Sequence, residues 1–124
     1  MRLYHIYALV DPATHLVRYV GKTRQLLEAR YQNHATGNCK GTAAWVHTLS
    51  APPVLILLET GEERRIPRLG IGSGSIAASA FAETKWIKRF RRTVINKDTR
   101  QNSATTWDWL HNESASVAYG PEAR

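Results

Sequence analysis

Leu3–His34, LYHIYALVDPATHLVRYVGKTRQLLEARYQNH, holds two short apolar runs joined by a turn and followed at once by a helical pattern. Leu3 to Val10 is rich in β-branched and aromatic residues, the composition of a buried strand. Asp11-Pro12-Ala13-Thr14 supplies turn chemistry, Pro12 presetting the backbone angle that a type I turn requires. His15 to Val20 reads as the return strand, with Gly21 ending it. The segment therefore predicts a β-hairpin. Thr23 is placed to cap a helix through Leu26, Leu27, Arg30, Tyr31 and His34.

Working outward, spacing brings chemistry together. Tyr7 and Tyr19 lie on opposite arms of one hairpin, near its open end, and are expected to share a face. Arg30 and His34 are four residues apart, which stacks them on one side of a helix. Two phenols, a guanidinium and an imidazole suit phosphate chemistry: arginine forks onto phosphate oxygens, and tyrosine or histidine moves protons. A carboxylate comes from Ser79–Phe90, where Trp86, Ile87 and Phe90 form a helical stripe. Glu83 lies three and four residues before the first two, beside the buried face. There a carboxylate is costly unless paired or bound to a cation.

The remaining segments fill in one domain of modest core, as 124 residues allow. The first helix is expected to end at Thr36-Gly37-Asn38. Gly41–Leu49 reads as a second, short helix whose apolar side is Trp45, Val46 and Leu49. Val54–Glu59 is continuously apolar through Leu58, as a strand covered on both sides is. Glu62-Glu63-Arg64-Arg65 reads as a solvated turn. Gly70–Ser75 has the glycines of a phosphate loop but lacks its Lys-Ser/Thr ending, so it reads as a connector, with Ser75 capping the Glu83 helix. The predicted fold is α/β (α+β): a three-stranded, mainly antiparallel sheet flanked by helices, in the order β-β-α-(α)-β-α. Residues 1–97 would form the core. Residues 98–124 would be an extension with a short helix around Trp107 and Trp109 and a disordered end.

Seventeen Lys and Arg face ten Asp and Glu, a net charge of +7. A small basic domain is drawn to polyanions through counterion release. Lys85, Lys88, Arg89, Arg91 and Arg92 cluster on and just beyond one helix, while Lys22 and Arg24 flank the phenols, and this clustering points to nucleic acid. No apolar run is long enough to span a bilayer, no signal pattern opens the sequence, and Cys39 is the single cysteine. The expectation is a cytoplasmic protein with no membrane partner. His15, His47 and His111 have no spacing that joins them into a zinc site.

The chain resembles the GIY-YIG nucleases. The first motif of that family stands here as His5-Ile6-Tyr7 and the second as Tyr19-Val20-Gly21, eleven residues separating the two tyrosines. The family arginine matches Arg30, its helical His or Tyr partner His34, its metal-binding glutamate Glu83, and the asparagine closing its core Asn96. The resemblance covers Leu3 to Lys97, with one departure: His5 stands where the family has glycine. It implies a metal-dependent endonuclease acting on DNA, with Tyr7 activating water, Tyr19 orienting water or phosphate and His34 relaying the proton. Arg30 would stabilise the transition state and Asn96 would brace the site. Glu83 would hold one Mg²⁺ or Mn²⁺ through mostly water-filled coordination, and Arg30, Lys22 and the metal would favour a phenolate. Products with 5′-phosphate and 3′-hydroxyl ends follow from the family.

Each of these residues also has a plainer use. Tyr7 and Tyr19 can fill a core, Arg30 can be a surface residue and Glu83 can pair with Lys88 or Arg30. Five residues suited to phosphodiester cleavage at five family-matching positions outweigh that. The alternative function is a nuclease-like module that binds nucleic acid without cutting it, which His5 keeps open. A third is an interaction domain whose Trp107–Trp109 patch docks a protein partner or a second copy of the chain.

Overall fold

The computed structural model describes residues 2–67, 74–95 and 116–119. The hairpin forms as expected: β1 (Leu3–Val10) pairs antiparallel with β2 (Val17–Thr23). Asp11 builds the turn, its Oδ1 accepting from the amides of Ala13 (2.8 Å) and Thr14 (3.2 Å), much as a backbone carbonyl would. The return strand continues past Gly21 to Thr23, so Gly21 lies inside β2. β3 (Val54–Glu62) pairs antiparallel with the other side of β1 and completes the predicted three-stranded sheet.

Short strands β4 (Arg65–Pro67) and β5 (Ser75–Ala77) make a separate two-stranded ribbon. A further strand, β6 (Ser116–Tyr119), pairs with the free edge of β3, so the main sheet runs β2-β1-β3-β6. Residues 116–119 correct the expectation of a disordered end, because the exposed edge of an inner strand offers backbone groups that the C-terminal segment can satisfy. The helix predicted around Trp107 and Trp109 lies outside the described residues.

Helix α1 (Leu27–Ala35) begins later than predicted. Thr23 ends β2, and its Oγ1 accepts from the amide of Gln25 (2.9 Å) in a local turn. The helix stops where expected, at Gly37 with φ 77°, a left-handed angle that glycine adopts without strain. Helix α2 (Ala43–Val46) is a single turn, shorter than the 41–49 predicted. Helix α3 (Ala78–Arg89) carries Glu83. Ser75 does not cap it, being in β5.

Side chains alternate along β1 and divide the core in two. Tyr4, Ile6, Ala8 and Val10, with Val17 and Val20, pack against α3 through Ala78, Ala82 and Phe90. Those three recur at helical spacing, and full burial of Phe90 contributes about 1.5–3 kcal/mol. Tyr7 and Leu9 face the other way, toward Tyr31 of α1, Leu55 and Trp45. The sheet thus lies between α3 on one face and α1 with α2 on the other.

Glu63 corrects the reading of 62–65 as a solvated turn. Its Oε1 accepts from the Ser79 amide (3.1 Å), its Oε2 accepts from the Ser79 hydroxyl, and Arg24 lies 3.3 Å away. It supplies from a distance the cap that α3 lacks locally. The Ser79 hydroxyl bond, opposed by burial and reinforced by the Ser79 amide and Arg24, lowers its carboxyl from 4.5 to about 2. A depressed folded-state pKa means stability present above pH 4.5 and lost as pH falls toward 2. Wild-type protein should therefore lose melting temperature across that window, while Glu63→Gln should start lower and show a flatter acid limb. Parallel acid limbs for the two proteins would remove Glu63 from this role.

Candidate active site

Tyr7 pairs with Gly21 across the hairpin, and Tyr19 pairs with Leu9, two residues along. The tyrosines are therefore diagonal neighbours on the face covered by α1 and α2, with ring centroids 6.4 Å apart. Gly21 makes this possible. A Cβ there would come within 2.5 Å of Tyr7 Oη and 2.9 Å of a Tyr19 ring carbon.

Helix α1 delivers the next two groups. His34, almost fully buried, puts Nε2 2.7 Å from Tyr7 Oη, and Arg30 Nε donates to the same oxygen at 3.0 Å. The four-residue spacing read from the sequence is what allows both to reach one phenol. The His34 ring also lies 5.4 Å from that of Tyr19. On its far side, His34 Nδ1 meets Thr42 Oγ1 at 2.7 Å. Sequence reasoning missed Thr42, taking it as an ordinary residue of the short helix predicted over 41–49.

Glu83 joins from α3, on the other face of the sheet, beside β2. Burial pushes its carboxyl up and Lys22 opposes the rise. Its charge reaches Tyr19, where it is the second cause, after burial, of a raised phenol pKa, and Arg30 opposes both. The charged group acting on Glu83 is thus Lys22, and not the Lys88 or Arg30 of the plainer reading.

Arg30 alone does not bring about the phenolate expected at Tyr7. Tyr7 has no exposed surface, and burial raises its pKa by more than Arg30 lowers it. Burial, with Arg30 adding to it, holds His34 down to about 4, so the imidazole is neutral at pH 7. Tyr19, in contrast, is half-buried and lines a cleft of about 480 Å³ with Arg30, Asn33, His34, Asn38 and Lys40. Tyr19 is thus the phenol that meets solvent, and Tyr7 stands behind it.

His5 does not enter this cluster. Its Nδ1 lies 2.8 Å from Thr60 Oγ1 on β3, and its backbone is ordinary extended strand, which makes no demand for glycine. Asn96 lies outside the described residues. Of the predicted nucleic-acid contacts, Arg24 is paired with Glu63. Lys85 is paired with Glu59 at 2.6 Å and lies 5.4 Å over the Trp86 ring. Glu59 also accepts from Tyr4 Oη (3.2 Å) and Trp86 Nε1 (3.0 Å), so part of the basic helix is committed to holding α3 on the sheet. Lys88, Arg89 and Arg92 are exposed and Arg91 is partly covered.

Among the described residues, no three His, Cys, Asp or Glu side chains form a group that could hold a metal ion. A cage made wholly of protein ligands is therefore not what Glu83 offers. A lone half-buried carboxylate suits a small divalent cation that keeps most of its waters. No helix of the described residues is long and apolar enough to cross a membrane. Comparison with protein-family models, curated proteins and solved structures gives no match.

Proposed function

We propose that the chain is a metal-dependent endonuclease of the GIY-YIG type that hydrolyses phosphodiester bonds in DNA. The observation that carries this is the meeting of Tyr7, Tyr19, Arg30 and His34, from three elements, at one cleft within electrostatic reach of Glu83. Filling a core needs none of the polar bonds that link them. The family order of motifs and the net charge of +7 support the same reading.

Arg30 donates its Nε–H to Tyr7. Its guanidinium, also hydrogen-bonded toward Tyr19, lines the cleft, where it would meet a non-bridging phosphate oxygen and offset the charge that builds in the transition state. Tyr19, at the cleft wall, orients and activates the attacking water. Glu83 would hold the Mg²⁺ or Mn²⁺, which would supply positive charge to the phosphate and to the departing 3′-oxygen. With its charge offset in that way, Glu83 would no longer raise the Tyr19 phenol, which would make the base easier to form. Tyr7 holds Arg30 through its Nε–H, and His34 holds Tyr7 in turn.

Purified protein incubated with single-stranded, duplex and branched DNA, with Mg²⁺ and then with EDTA, tests the proposal. Cutting that EDTA stops supports it. Binding without cutting under every divalent ion favours the inactive binding module. Arg30→Ala should lower turnover by about a hundredfold with little change in DNA affinity; a loss confined to affinity would make Arg30 a docking residue.

A further inference from the structure

We infer that Thr42 is a positioning residue that sets the proton on His34 and, through Tyr7, aims the Arg30 guanidinium at the cleft. Thr42 occupies the N-cap position of α2, yet its side chain makes no cap hydrogen bond. Threonine there ordinarily accepts from an amide of the first turn. Here the side chain is 1% exposed and its oxygen is directed to His34 Nδ1 at 2.7 Å. The local use has been given up for a tertiary one.

The direction of the chain follows from its donors. Arg30 Nε–H can only donate, so it claims a lone pair of Tyr7 Oη. Between Tyr7 and Thr42 stands one neutral imidazole with one N–H and one bare nitrogen. A phenol is a stronger acid than an aliphatic alcohol, so the better match gives Tyr7 O–H to bare Nε2 and Nδ1–H to Thr42 Oγ1. The reverse arrangement crowds two N–H donors onto Tyr7 Oη and leaves over the phenol proton in a site with no exposed surface, whereas the favoured one leaves over only the less acidic Thr42 hydroxyl proton. With Thr42 as acceptor, Tyr7 turns its free lone pair to Arg30 Nε, which holds the guanidinium fork at the cleft that Arg30 lines with Tyr19. The use of that fork on a phosphate rests on the endonuclease reading; the proton placement does not.

The experiment uses the full chain without nucleic acid, observing imidazole nitrogen shifts of His34 and the Arg30 Nε–H signal by NMR. Wild-type protein should show His34 protonated at Nδ1 and a slowly exchanging Arg30 Nε–H. Thr42→Val, of the same shape without the acceptor, should move the proton to Nε2 and speed Arg30 exchange, while Thr42→Ser should match wild type. In the cleavage assay, Thr42→Val should lower kcat about tenfold at nearly constant KM, with rescue by serine. A wild-type His34 protonated at Nε2 overturns the inference, and this measurement stands even if Thr42→Val fails to fold. An unchanged tautomer in folded Thr42→Val also overturns it. If the tautomers behave as stated and no DNA is cut, Thr42 keeps its positioning role and the endonuclease reading falls.

Discussion

Glu83→Gln should remove Mg²⁺-supported cleavage, lowering turnover by about a thousandfold or more, with the fold intact. Glutamine keeps the shape of the side chain and loses only its charge. Because burial raises the Glu83 carboxyl above its ordinary pKa, the ionised form is disfavoured in the folded state. That contribution to instability grows as pH rises through the folded pKa, so at pH 7 the variant should melt no lower than wild type. The same substitution has a second readout that needs no substrate. The Glu83 charge raises the Tyr19 phenol, so Glu83→Gln should lower the Tyr19 pKa in a spectroscopic titration. Mg²⁺-dependent cutting that persists in the variant would end the metal assignment. An unmoved Tyr19 titration would separate Glu83 from the phenols.

Gly21→Ala should damage both stability and activity, though the change is one methyl group. Its Cβ would sit 2.5 Å from Tyr7 Oη and 2.6 Å from Cζ. A mobile phenol could swing away. Tyr7 cannot, since Arg30 and His34 hold its oxygen and the ring is sealed on every side. The strand or the ring must shift, an overpacking cost of about 1–3 kcal/mol. Both phenols then move from their places around Arg30, and displacement on the order of an ångström can cost about a hundredfold in rate. Chemical denaturation, and cleavage at a temperature where the variant stays folded, would read both effects. A variant as stable and as fast as wild type would show that the close approach at Gly21 has no bearing on the site.

The parts of the fold legible in advance were those with a local cause. Alternation and turn chemistry in 3–20 marked the hairpin, the apolar run at 54–59 marked an inner strand, and the stripe of Trp86, Ile87 and Phe90 marked α3. The mistakes came at boundaries settled by distant partners. Thr23 was taken up by β2, so α1 began later, and Glu63 reached from just beyond β3 to do what Ser75 was expected to do for α3. The fourth strand was invisible because 116–119 gains its pairing only from the edge of β3.

For the site, periodicity was enough to place Arg30 with His34 and to set Glu83 at the flank of a buried helical face, since spacing along a helix fixes which side chains are neighbours. Only the packed structure decided which phenol meets the cleft and which is sealed behind it. Burial depends on what α1 and α2 lay over the sheet, and no pattern within β1 or β2 carries that. It also turned Thr42 inward to His34 and left Tyr7 harder, not easier, to ionise. Those outcomes depend on desolvation and on contacts between residues far apart in the chain, which exist only once the chain has closed around them.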